Sequence, residues 1–190
     1  MLSQLKIITR SGFVAVMLLM SFAALAQKMD KPQIDKFTHD TAFFTTTEKI
    51  AGNKGSLSSS AENIEAYTSN KNGVINLHLK IELTTFDHNR FQVTSGNKVL
   101  IKLADNTLVT LTNIADVASM REGIGARVTG RECWTAVVAL NTVKDDMARI
   151  WQSDITAIRI EADGQNFDFD IKTKDSKVIQ KMFSLILAAN

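Results

Sequence analysis

The stretch VINLHLKIEL, Val74 to Leu83, decides the fold class. Ile75, Leu77, Leu79, Ile81 and Leu83 alternate with Asn76, His78, Lys80 and Glu82. A period of two puts the first set on one side of an extended chain and the second on the other. Such a strand belongs to an antiparallel sheet that covers a core with one face and meets water with the other.

The segments around it repeat the pattern. FFTTTEKI, within residues 36 to 50, is rich in aromatic and β-branched residues and predicts a first strand. A short strand is expected near Arg90 to Val93. KVLIKLADNTLVTLT, 98 to 112, predicts a hairpin. Val99, Ile101 and Leu103 meet Val109 and Leu111 on one face only if odd positions pair with odd. That requires a three-residue loop, Ala104 to Asn106, with Asn106 left-handed and a bulge after it. In ITAIRIEADGQNFDFDIKT, 155 to 173, Asp163-Gly164 predicts a two-residue type I′ turn. Ile160 then faces Phe167, Ile158 faces Phe169, and Arg159 faces Asp168 on the wet side. Thr142 and Asp145 read as a capping box opening a short helix through Met147, Ile150 and Trp151. Val178, Ile179, Met182, Phe183, Ile186 and Leu187 form the apolar stripe of a closing helix from Asp175 to Leu187, with Lys177, Gln180, Lys181 and Ser184 opposite. The fold class is mainly β, a β-rich α+β: an antiparallel sandwich or open barrel of about eight or nine strands with a short helix and a C-terminal amphipathic helix.

The sequence of TAVVALN (135–141), a short helix, ITAIRIEADG (155–164), NFDFDI (166–171) and a closing helix resembles small, uncharacterised secreted β-rich proteins of Bacteroidetes-type bacteria. The likeness covers about the C-terminal third of the chain and carries no catalytic motif. It implies a bacterial envelope or extracellular protein.

The N-terminal residues point to the same compartment. Lys6 and Arg10 precede an uncharged run from Gly12 to Leu25, and Ala24-Leu25-Ala26 has the small-x-small form that signal peptidase requires. The run is shorter than the roughly 20 residues that span a bilayer. Residues 1–26 are therefore expected to be a signal peptide cut between Ala26 and Gln27, 27–35 a flexible leader, and 36–190 a single β-rich domain. The product is periplasmic or secreted, with no transmembrane span in the mature chain.

The whole chain has 22 basic and 20 acidic residues, and residues 1–26 hold two of the basic and none of the acidic. The remainder is formally neutral, which gives no electrostatic reason to seek nucleic acid. Cys133 is the one cysteine, so no internal disulfide forms and packing must supply the stability.

REGIGARVTGREC, Arg121 to Cys133, is the stretch most suggestive of a site. Gly123-Ile124-Gly125 is no dinucleotide fingerprint, because a strand follows it and the third glycine is at the wrong offset. Val128, Trp134, Ala136, Val138 and Leu140 share the even, apolar face. Arg127, Thr129, Arg131, Cys133 and Thr135 share the odd one. Arg127 and Arg131, about 6.5–7 Å apart along a strand, form a candidate anion or ligand patch with Cys133. The competing expectation is a solvated face, and a bulge at Gly130 would turn Cys133 inward. His39, His78 and His88 lack metal-ligand spacing. Asp168 and Asp170 lie at glycosidase-like separation, but Arg159 and Lys172 are adjacent. No catalytic residue, cofactor or metal is assigned. The expected function is a non-catalytic binding or interaction module for a protein, glycan or lipid ligand in the envelope. The alternatives are a hydrolase or thiol enzyme pairing Cys133 with a histidine, and a structural subunit that assembles through an edge strand.

Overall fold

The computed structural model describes residues 28–52, 61–85, 90–122 and 132–189. Val74–Thr85 forms β5, and Ile75, Leu77, Leu79, Ile81 and Leu83 are all buried. It pairs antiparallel with β4 (Ala61–Lys71) on one side and β11 (Glu132–Asn141) on the other. Beyond β4 lie β3 (Glu48–Gly52) and β2 (Thr41–Phe44), which share its far edge, and β1 (Gln33–Ile34) pairs with β2. Beyond β11 lies β10 (Met120–Glu122). The sheet curls into an antiparallel half-barrel.

A second sheet has the order β13 (Gln165–Asp170), β12 (Ile155–Ala162), β7 (Lys98–Leu103), β8 (Leu108–Thr112). A small ribbon joins β6 (Gln92–Val93) to β9 (Val117–Ala118). The helices are α1 (Lys144–Gln152) and α2 (Thr173–Ala188), and α2 lies against β3, β4 and β12. Buried side chains from both sheets and both helices make one apolar cluster. The fold is thus mainly β, with two helices among the described residues. Thirteen strand segments lie among the described residues, more than the eight or nine expected, because several are only two or three residues long. FFTTTEKI also divides: β2 ends at Phe44, and at the buried Thr45 the backbone N–H still donates to Thr68 O while its side-chain Oγ1 accepts the Thr68 N–H. Residues 28 to 34, expected as a leader, run along β2, with Asp30 N–H donating to Phe44 O and Thr46 N–H to Lys28 O.

The first hairpin has the register argued from its faces: Val99 meets Leu111 and Ile101 meets Val109. Asn106 has φ of 64° and donates its N–H to Leu103 O, while Leu103 N–H donates to Thr107 O. That is a type I turn closed by a left-handed bulge residue. The second hairpin also keeps its register, with Ile158 opposite Phe169 and Ile160 opposite Phe167. Its turn is not type I′, which needs positive φ at both central residues. Gly164 has φ of 80°, and Asp163 is not left-handed. Asp163 is held from outside the hairpin: its N–H donates to Gln92 O, and its Oδ1 accepts from Thr94 Oγ1 and Asn97 Nδ2.

The capping box does not form. Val143 is the N-cap of α1 and makes no side-chain cap bond. Thr142 is buried one residue earlier, where its N–H and Oγ1 both donate to Ile75 O and tie the end of β11 to the start of β5. Asp145 and Asp146 still favour the positive end of the α1 dipole. Trp151 is half exposed, so only Met147 and Ile150 anchor α1. On α2, Leu187 is partly exposed and Gln180 is buried. Gln180 Nε2 donates to Ile150 O and Ser153 O, satisfying carbonyls at the C-terminus of α1.

Candidate functional site

The site forms where three segments distant in sequence meet beside β11. Phe91 N–H donates to Ser119 Oγ at 2.9 Å, and Ser119 N–H donates to Phe91 O at 2.9 Å. The β6–β9 ribbon continues this ladder, with Gln92 opposite Ala118 and Val93 opposite Val117. Phe91 is buried and meets Phe167 edge to face at 4.9 Å. These contacts fix the backbone of Arg90 alongside β10. In turn β10 pairs with β11 so that Arg121 lies opposite Trp134.

Arg90, Ser119, Met120, Arg121, Glu132 and Trp134 line one open cleft of about 620 Å³. That volume lies within the usual range for small-molecule sites. The Arg90 guanidinium sits over the Trp134 ring, 5.2 Å from its centroid, a cation–π arrangement. Arg121 Nη2 lies 3.1 Å from Glu132 Oε1, and the Glu132 side chain is buried while Arg121 is half exposed. Trp134 is only 4 % exposed, and its Nε1 is a buried donor without a hydrogen-bond partner. The cleft therefore offers two guanidinium groups, one carboxylate, an indole and the exposed thioether side chain of Met120.

Of the residues proposed from sequence, Arg127 and Arg131 lie outside the described residues, as do Gly130 and His88. From Glu132 onward Trp134, Ala136, Val138 and Leu140 face the core and Cys133 faces away as expected, but Thr135, expected on the wet face, is buried. The thiol is half-buried rather than wet, between Thr84 and Glu122 on the neighbouring strands. It does not share a face with Arg121 and Trp134. The buried Glu132 and the distant Arg90 were not anticipated. A single charge among the even, core-facing positions of β11 was the available signal for Glu132, since a buried carboxylate demands a partner. Arg90 carried none, because its place depends on the pairing of its neighbour Phe91 with Ser119.

The enzyme constellations do not assemble among the described residues. The Cys133 partner on β5 is Thr84 and that of Ala139 is His78, six residues away or about 20 Å at strand rise. His39 sits with φ of 59° in the turn between β1 and β2, across the sheet from β11. His78 instead stacks on Tyr67 at 4.4 Å and lies 2.8 Å from Ser69 Oγ through Nε2. Burial lowers its pKa to about 4, which makes it a poor base for activating a hydroxyl near neutral pH. Asp168 accepts Arg159 Nε at 2.6 Å and Nη2 at 2.7 Å. Arg159 holds its carboxyl below the usual range, the opposite of what a glycosidase acid requires. On the face with Cys133, Lys80 pairs with Glu82 at 2.8 Å, Glu65 at 3.7 Å and Glu122 at 3.8 Å. No cluster of His, Cys, Asp and Glu among the described residues is arranged to hold a metal ion. No described helix is long and apolar enough to cross a membrane.

No protein family, curated protein or solved structure matches the chain.

Proposed function

We propose that this chain is an exported binding module of the bacterial envelope or extracellular space, non-catalytic, with its ligand in the Arg90–Arg121–Trp134 cleft. The observation that carries the reading is the convergence of two arginines and an indole on one cleft of small-molecule size. Such sites combine an apolar wall with a few placed polar groups. Export is supported by the signal-peptide pattern of residues 1–26 and by the resemblance noted above.

Expression with the native leader tests both halves. The purified product is expected to begin at Gln27 by intact mass. A thermal-shift screen against envelope glycans, lipids and organic acids is expected to give a saturable stabilisation that Arg90→Gln removes, with the ligand recovered unchanged. Retention of residues 1–26 in the cytoplasm would contradict export, and chemical conversion of the ligand would contradict the binding-module reading.

A further inference from the structure

We infer that the cleft takes a monocarboxylate with an apolar body, of the medium-chain fatty-acid class. The inference rests on the cleft being a ligand site. Three features of its described lining select the ligand. The first is charge: among the described residues of the lining, Arg90 and Arg121 contribute two positive charges and Glu132 one negative, which favours an anion over a neutral or cationic ligand. The second is geometry. Guanidinium groups bind carboxylates through paired in-plane N–H donors. The Arg90 guanidinium is placed at the cleft wall by the Trp134 ring, 5.2 Å from its centroid. Glu132 engages Arg121 through Nη2, and an arginine has five N–H donors in all.

The third feature favours an alkyl body over a sugar. Trp134 and the well-exposed Met120 supply apolar wall. The one hydroxyl in the described lining, Ser119 Oγ, is in a buried residue and already accepts the Phe91 N–H. A polyhydroxylated ligand would have only the two guanidinium groups and the Glu132 carboxylate as side-chain partners in the described lining, and each hydroxyl desolvated beyond those costs roughly 1–3 kcal/mol. An alkyl chain makes no such demand.

The test uses decanoate, decanol, decyl phosphate and glucuronate with the purified protein. A Trp151→Phe background makes Trp134 the sole fluorophore of its kind, since the chain has two tryptophans. Decanoate should bind saturably and change Trp134 emission. Decanol should bind at least about tenfold more weakly, as expected for loss of charge-assisted hydrogen bonds. Arg90→Gln should weaken decanoate by about tenfold for the same reason. Arg90→Lys, which keeps the charge and loses the fork, should fall between the two. Decanol equal to decanoate, decyl phosphate tighter than decanoate, or glucuronate tighter than decanoate would each overturn the ligand class while leaving the cleft as a site. Binding of any of the four that Arg90→Gln leaves unchanged, with Trp134 emission unaltered, would remove the ligand from the cleft and overturn the reading beneath it.

Discussion

A glutamate on the core face of a strand has to be neutralised where it stands. Glu132 is 5 % exposed, and Arg121 on β10 reaches it at 3.1 Å. Removing one partner of a buried pair costs more than the pair contributes, because the remaining charge stays desolvated. Arg121 is half exposed, which softens the effect. Arg121→Ala should therefore lower unfolding free energy by about 1–2 kcal/mol, and adding Glu132→Gln should restore part of it; additive losses in urea melts would exclude the coupling. His78 gives a pH-dependent counterpart. Its pKa is lowered to about 4 by burial, from 6.5 when exposed. The unfolded chain thus binds a proton that the folded chain refuses between those values, so stability falls as pH drops from 6.5 towards 4. Above pH 6.5 this contribution is complete. In His78→Gln, urea melts at pH 7.5, 5.5 and 4.5 should show a shallower acid loss than in the parent; identical slopes would mean that His78 is not the titrating group. Neither residue could be understood from sequence spacing alone. His78 was correctly placed on the polar face, but the Tyr67 stack and the Ser69 contact that bury it come from β4.

Strands with strict alternation were readable because a single register satisfies both of their faces. The 98–112 hairpin shows how far that reaches, since the odd-with-odd pairing fixed the loop length and the left-handed residue. Asn tolerates this conformation better than a β-branched residue does. Asn106→Val should cost about 1–2 kcal/mol, while Asn106→Gly should be neutral or stabilising; equal melting temperatures for the two variants would contradict the left-handed assignment. Elements failed where the decisive partner lay elsewhere in the fold. Thr142 sits at the right spacing for a capping box, yet Ile75 O captures both of its donors. Asp163-Gly164 has type I′ chemistry, yet Thr94 and Asn97 hold Asp163 in another geometry. Ile155 and Ile158 are three apart and both buried, which a regular strand forbids. A register shift between Ile155 and Ala157 against β7 resolves the conflict. Gly52 shows the same dependence at β3. With φ of 144°, its place for a Cβ lies 2.7 Å from Glu62 O, a close approach no local pattern announces.

At the scale of the molecule, a curled sheet, a second sheet and α2 enclose one core, and the cleft opens where β10 and β11 meet the segment at Arg90. The fold class was legible because hydrophobic periodicity is a property of each segment taken singly. The cleft was not, because it joins Arg90 to residues from Ser119 to Trp134 through the Phe91–Ser119 clamp and the β10–β11 pairing. Assembly through an edge strand has weaker physical support. The segment along the β2 edge carries Pro32 with Lys28 and Lys31, features that blunt edge pairing. The central claim is that ligand binds at Arg90, Arg121 and Trp134. The direct test is to follow the arginine Nε–H and indole N–H resonances of labelled protein during a decanoate titration. Saturable shifts are expected at Arg90, Arg121 and Trp134, with Arg159 and Trp151 unmoved. Shifts centred on Arg159 or Trp151, or none at the three cleft residues under saturating decanoate, would contradict the claim.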